Sequence, residues 1–315
     1  MYFLRQFPRL LSPGGARGRL AILIYHRVHA QSDPLFPGEV SAAEFDLQMA
    51  TLSRCFHVLP LDEAVARLRK NSLPPAAAAI TFDDGYADNH RIALPILKRH
   101  SLCATFFIST AFLDGGRMWN DTVIEAVRHA SGELLELDSF GEYRIATSVA
   151  RGKAALSLLN KLKHLEFEAR CQAVQDIAGR IGAKLPADLM MTSADVRELY
   201  GEGMGIGAHT VNHPILARLG AGRARGEITE GRDRLQDIVC APVTLFAYPN
   251  GKPDQDYCAE HVAMVRKLGF AAAFSTAWGA ARPTSDFFQL PRFTPWDKTS
   301  TAFALRLTQN LLRRA

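Results

Sequence analysis

Residues 78–85 read Ala-Ala-Ile-Thr-Phe-Asp-Asp-Gly. The first five are apolar or β-branched, a run suited to a strand buried on both faces. Two adjacent carboxylates and a glycine follow at once. Unpaired buried charges are costly and like charges repel, so Asp83 and Asp84 are hard to explain as packing. A strand end opening into a loop is also where α/β enzymes place catalytic groups. Asp-Gly is turn chemistry as well, so a plain turn is the competing reading.

Working outward, the same kind of run recurs. Residues 20–25, Leu-Ala-Ile-Leu-Ile-Tyr, form a wholly apolar strand that ends in His26-Arg27-Val28, and a loop rich in Pro, Gly and Asp follows at 31–38. Ser41 with Glu44 three residues on predicts a capping box for a helix carrying Phe45, Met49 and Leu52. A second helix is predicted over 61–68 and a third through Ile96-Leu97-Lys98, with a strand at 104–108. Later, 204–208 reads as a strand leading into His209, 221–237 as a helix, 244–247 and 272–275 as strands, and 256–268 as the helix between them. This alternation predicts an α/β fold with parallel strands. Residues 114–200 break it: leucine, alanine and charge recur at helical spacing, with one strand candidate around 142–146. They are read as a mainly helical insertion. With no internal repeat or low-complexity linker, the chain divides into an N-terminal segment, 1–19, and one domain, 20–315, that carries the insertion.

The 315 residues are 48% apolar and 22% charged, ordinary for a globular protein. The net charge is +5, but the Lys and Arg residues are scattered, without the stripe of a nucleic-acid binder. Nucleic acid is therefore set aside, and an anionic glycan or membrane surface fits the charge equally well. Five widely spaced cysteines without a CxxC pair read as small buried side chains in a reducing compartment. Arg5, Pro8 and Arg9 interrupt the apolar opening, so no signal peptide is read there, and no run reaches the length of a membrane span. The expected location is the cytoplasm. The basic, apolar opening is compatible with weak contact at the inner membrane face, and a loosely ordered terminus is the plainer reading.

The second motif is His209-Thr210-Val211-Asn212-His213. Histidines at i and i+4 share a face of a helical turn and can present two imidazoles to one metal ion. With the aspartate pair they supply two nitrogens and one oxygen. Three protein ligands plus open positions is the pattern of a catalytic rather than a structural zinc site. The other aspartate is then free to take a proton from metal-bound water.

Together, Thr81-Phe82-Asp83-Asp84-Gly85 and the later His-Thr-x-x-His resemble the polysaccharide deacetylases, the NodB-homology domain of carbohydrate esterase family 4. The resemblance runs from about Ala21 to Phe293, and Tyr25-His26-Arg27-Val28 is similar to the start of the subgroup that includes the biofilm-polysaccharide deacetylases. It implies a distorted, seven-stranded (β/α) barrel with the site at the strand C-terminal ends. It implies Asp83 as general base and Asp84, His209 and His213 as ligands of a divalent metal. Zn²⁺ is the first choice, and Co²⁺, Ni²⁺ or Mn²⁺ suit the same donors. The implied reaction removes an N-acetyl or other acyl group from an amino sugar in a polysaccharide or its precursor. A deformylase or deacylase of a lipid-linked saccharide is the alternative.

Two family motifs depart from the pattern. Where the family has Arg-Pro-Pro-Tyr-Gly, this chain has Ala247-Tyr248-Pro249-Asn250-Gly251. The arginine that steadies the catalytic aspartate falls at Ala247 and is absent. The backbone oxyanion donor falls at Asn250, where the side chain is immaterial, and Tyr248 is placed on the substrate side of the same motif. The family's Leu-x-His, whose histidine is the general acid, reads Leu290-Pro291-Arg292. An arginine cannot donate a proton at neutral pH. Either another group is the acid or the chemistry is slow, and Arg292 can instead pair with Asp83. His26 is the candidate acid, with a structural hydrogen bond as its other reading. Trp119 and Trp278 are candidates for stacking on a sugar ring, or ordinary core and rim residues. Asp88 and Asn89 read as cap and turn residues. The Leu-Pro-Arg departure also leaves open a catalytically silent glycan-binding homologue.

Overall fold

In the computed structural model, which describes residues 2–313, the apolar run before Asp83 is a strand with parallel neighbours. The strands are β1 (Leu20–Tyr25), β2 (His57–Val58), β3 (Ala77–Phe82), β4 (Thr105–Ile108), β5 (Leu134–Leu137), β6 (Gly141–Arg144), β7 (Gly205–Ala208), β8 (Leu245–Ala247) and β9 (Ala272–Phe274). The sheet runs β1-β3-β4-β7-β8-β9, with β2 beside the start of β3, and β5-β6 form a separate antiparallel hairpin. Seven parallel strands curl into a half-barrel, the distorted barrel expected. Residues 281–293 bridge its gap: Leu20 pairs with Ala281, Leu23 with Phe293, and Phe274 with Leu290.

The helices are α1 (Tyr2–Leu11), α2 (Ala42–Cys55), α3 (Leu61–Arg69), α4 (Leu94–Arg99), α5 (Trp119–His129), α6 (Ser148–Leu162), α7 (Phe167–Ile181), α8 (Ser193–Gly201), α9 (Ala221–Val239), α10 (Ala259–Lys267) and α11 (Ser300–Asn310). The Ser41–Glu44 capping box opens α2 as predicted. Strand residues alternate between two cores, as the period of two requires. Leu23, Ile80, Phe82, Phe106 and Ile108 pack outward under the helices, whereas Leu20, Ile22, Ala77, Phe107 and Phe274 fill the interior beside α3.

The 114–200 region has its own core, with Val123, Val127, Leu135, Leu158, Val174 and Ile177 joining α5, the hairpin, α6 and α7. The strand candidate near 142–146 is the second arm of that hairpin, and its first arm, Leu134–Leu137, was not expected. α8 lies within the same span, but its Val196 and Leu199 belong to the outer core of the barrel. No described helix is long and apolar enough to cross a membrane. Of the apolar opening, Met1 lies outside the described residues, while Phe7 and Leu10 are exposed. The five cysteines are unpaired, and only Cys55 is buried; Cys240 is exposed, so the reading of all five as buried side chains does not hold.

Candidate active site

Parallel strands deliver their C-terminal ends to one rim, and the chemistry-bearing residues sit there. His26 follows β1, Asp83 and Asp84 follow β3, His209 follows β7, and Asn250 lies just beyond β8. Asp84 adopts a left-handed backbone, φ 77°, and so does Gly85, φ 95°, where a Cβ would press on the Ile108 side chain at 3.0 Å. Only glycine fits the second position without cost.

His209 and His213 do meet, with ring centroids 4.8 Å apart. They do so on a turn and not on a helix. Thr210 (φ 67°) and His213 (φ 51°) are left-handed, which no right-handed helix accommodates. The Thr210 hydroxyl accepts a hydrogen bond from the His213 N–H at 3.1 Å. Glu227 of α9 clamps the loop from behind: one carboxylate oxygen accepts from the Val211 N–H (3.0 Å) and the Asn212 N–H (2.8 Å), the other from Asn212 Nδ2 (2.8 Å). Gly231 lets α9 sit directly on the loop, since a Cβ there would lie 2.7 Å from the Thr210 carbonyl carbon. Sequence reading missed both residues. The available signal was an acid one turn from a glycine on the buried face of an amphipathic helix.

Asp84 Oδ1 lies 3.5 Å from His209 Nε2 and 3.4 Å from His213 Nε2. Ligand bonds of about 2.1 Å in a tetrahedral zinc site put donor atoms roughly 3.4 Å apart. His209 Nδ1 donates to the Ala247 carbonyl at 2.8 Å, which aims Nε2 at the cluster. Asp84 Oδ1 and His209 Nε2 are buried without a hydrogen-bond partner. Orphaned buried polar atoms are rare unless something else satisfies them. These three side chains could hold a metal ion, and their spacing and tautomer fit one. Burial disfavours charge on His209, but Asp83 and Asp84 reverse this and raise its pKa. Burial lowers His213 to about 4. The two carboxylates thus favour a positive charge at His209, which a bound cation would supply in place of a proton.

Asp83 is held differently. The Arg292 guanidinium donates two parallel hydrogen bonds to its two oxygens, each 2.7 Å. Both side chains are essentially inaccessible, at 0% and 2% exposure. Arg292 Nε donates to the Ser275 carbonyl at 3.0 Å, fixing the fork. Burial pushes the Asp83 carboxyl up, but Arg292 and His209 outweigh it and hold the group below the usual carboxylate range. The arginine missing at Ala247 is thus replaced in space by one arriving from beyond β9.

The remaining candidates separate. His26 is exposed at the rim, close enough for its charge to act on both Asp83 and Asp84. Its loop is tied down by Asn89, whose Nδ2 donates to the His26 carbonyl at 2.8 Å, and by Asp88, which accepts from Arg27 Nε and the Val28 N–H. Asp88 and Asn89 are therefore anchors of the His26 loop, not helix caps. Asn250 is left-handed (φ 58°), and its N–H makes no hydrogen bond within the described residues. Asp84, His213, Asn250 and Trp119 line one cavity of about 210 Å³. Tyr248 does not reach it. It is fully buried, stacks on Tyr257 at 3.7 Å, and donates to the Phe288 carbonyl at 3.0 Å, so it has no side-chain surface to offer a substrate. Trp278 is also absent from this lining. It stacks on Trp296 at 4.8 Å, and Trp296 borders a separate cleft with His26. Beneath the site, Asp121 accepts from the Tyr86 hydroxyl at 3.3 Å, has its other oxygen unpartnered, and is pushed up to about 7 by burial.

The polysaccharide deacetylase family profile matches residues 70–134 and 154–273, more than half of the chain. The chain belongs to the polysaccharide deacetylase family. Among relatives of this family, it is 21% identical over 276 residues to the putative polysaccharide deacetylase YxkH of Bacillus subtilis, covering 87% of this chain and 70% of YxkH. Two solved structures share the deacetylase fold. The Streptococcus pyogenes deacetylase PplD, in complex with acetate, superposes with a TM-score of 0.63 at 19% identity, over 93% of this chain and 98% of PplD. IcaB from Ammonifex degensii gives 0.59 at 19% identity, over 92% and 97%. The matched family segments include both aspartates and both histidines but stop before Arg292, so the fork on Asp83 comes from outside them.

Proposed function

We propose that the protein is a metal-dependent hydrolase that removes an N-acetyl group from an amino sugar in a polysaccharide or its precursor. The observation that carries this reading is the convergence of Asp84 Oδ1, His209 Nε2 and His213 Nε2, the first two buried without a hydrogen-bond partner, beside a carboxylate locked by an arginine. Asp84, His209 and His213 would hold the ion, with Zn²⁺ first among the candidates. A divalent cation there supplies Lewis acidity toward the acyl carbonyl and the attacking water.

The chain's own residues divide the rest of the work. Asp83, kept ionised by Arg292, accepts the proton of the attacking water. The unengaged Asn250 N–H donates to the oxyanion that develops on the acyl oxygen. His26, exposed at the rim and held by Asn89 through its backbone, donates the proton to the leaving amine. Trp119 forms a wall of the same cavity and offers an aromatic face to the sugar.

Elemental analysis of the purified protein tests this first, comparing the wild type with a His209→Ala/His213→Ala double mutant. Near-stoichiometric metal in the wild type and its loss in the mutant are expected. Deacetylation assays across N-acetylated saccharides then follow. A wild type that takes up no divalent metal even after Zn²⁺ is added overturns the reading.

A further inference from the structure

Of the two buried arginines among the described residues, Arg292 and Arg170, only Arg292 has a carboxylate partner. Arg170 sits in the first turn of α7, within the inserted region, and is 6% exposed. Its guanidinium lies over the Trp119 ring at 5.0 Å and the Phe167 ring at 5.7 Å. Among the described residues it makes no ion pair and no side-chain hydrogen bond, and its Nε is buried without a partner. Arg292, Arg27 and Arg128 each face a carboxylate, Asp83, Asp88 and Asp33 respectively, and Arg151 donates to three backbone carbonyls. The nearby Glu168 is occupied by Arg223 at 2.9 Å. Burial lowers the Arg170 pKa, the neighbouring Cys171 opposes this in part, Arg218 adds a like charge, and no carboxylate contributes.

Its position gives this charge a use. Arg170 lines the 210 Å³ cavity together with Asp84, His213 and Asn250, and Lys163, also without an ion pair among the described residues, lies on the same wall. The lining contains one carboxylate, Asp84, which is already committed to the two histidines. Trp119 and Arg170 also border an adjoining cleft of about 440 Å³. An unpaired buried guanidinium costs folding stability, and such costs persist where function requires them. The two aromatic faces fix the plane of the fork and leave its N–H edge free. That edge matches the oxygens of a carboxylate or phosphate in bidentate fashion.

We propose that Arg170, assisted by Lys163, binds an anionic group, phosphate or carboxylate, carried within one sugar residue of the scissile amide. The substrate is then an acidic saccharide, and the inserted region selects it. This rests on the deacetylase reading of the adjoining site.

The test measures binding of three probes to the full-length, Zn²⁺-loaded protein and to Arg170→Met. The probes are N-acetylglucosamine, its 1-phosphate, and N-acetylmuramic acid. At least one acidic probe is expected to bind about 10- to 100-fold more tightly than the neutral sugar, the size of a charged hydrogen-bonded pair. Arg170→Met is expected to abolish that difference, and whichever acidic probe shows it identifies phosphate or carboxylate as the source. No acidic preference in the wild type, or a preference that survives Arg170→Met, overturns the proposal. Thermal unfolding supplies a second reading: Arg170→Met should melt no lower than the wild type, and a clearly lower Tm would make Arg170 a structural clamp. Metal content separates the two levels, since a wild type that binds no metal sinks the deacetylase reading, whereas a metal-loaded protein without acidic preference sinks this one alone.

Discussion

Arg292 and Asp83 lie 209 residues apart in sequence, yet they form a two-pronged ion pair with both bonds at 2.7 Å and almost no solvent contact. Removing one partner of such a pair leaves the other charge buried and uncompensated, at a cost of about 3–5 kcal/mol. Arg292→Ala should show that loss in urea denaturation. In the protein that still folds, the acidic limb of the pH–rate profile should move to higher pH, because Arg292 is a principal cause of the low Asp83 pKa. Arg292→Lys keeps the charge without the fork and should fall between the two. An unmoved acidic limb in Arg292→Ala would show that Asp83 is not the titrating base.

His26 is tested through the leaving group. Being exposed, it should tolerate His26→Gln with a stability change within about 0.5 kcal/mol. If it protonates the departing amine, amide hydrolysis should fall by about 10²–10⁴. Hydrolysis of an activated aryl acetate, whose leaving group needs no proton, should be much less affected. Equal losses on both substrates would remove His26 from the acid role.

Glu227 and Gly231 support the histidine loop without touching the cluster. Glu227→Ala frees two backbone N–H groups and should weaken metal affinity by about 10- to 100-fold, as loss of a supporting residue commonly does. Gly231→Ala drives a Cβ into the Thr210 backbone and should cost about 1–3 kcal/mol by overpacking. Competition against a chelating dye measures the first, and thermal unfolding the second. Metal affinity unchanged in Glu227→Ala would mean that the loop holds its shape unaided.

Asp121 makes a stability prediction for the metal-free protein. Its folded pKa is about 7, against about 3.9 for an unfolded aspartate. Between these values the folded state carries a proton that the unfolded state lacks. The contribution of Asp121 to stability should therefore be fully present below about pH 4, be lost as pH rises through about 7, and then level off. Asp121→Asn mimics the protonated form and should flatten that slope. Denaturation midpoints at several pH values check this, and identical slopes in the two proteins would refute it.

The parallel sheet was legible because each central strand is buried on both faces and therefore reads as an unbroken apolar run, as at Leu20–Tyr25 and Ala77–Phe82. β5 escaped because four residues alternating between exposed and buried leave little signal among helices. The aspartates and histidines were visible as motifs, but the geometry joining the histidines was misjudged. A spacing of four implies a helical face only if no residue between them turns left-handed, and Thr210 does. Tyr248 was misplaced because its partners, Tyr257 and the Phe288 carbonyl, are contacts that sequence spacing does not encode. The isolation of Arg170 was invisible for the same reason: a missing partner is a property of three dimensions.

The segment 281–293 has a further effect. The outer strands of an open sheet expose backbone groups on which another molecule's strand can grow. Here Leu20, Ile22 and Ile24 of β1 exchange hydrogen bonds with Ala281 and Phe293, and Ala273 of β9 does so with Phe287 and Leu290. Both flanks of the barrel are therefore occupied by the stretch of chain that also delivers Arg292. Lesions that loosen this stretch should impair solubility and turnover together, so that aggregation and inactivity in such variants share one origin.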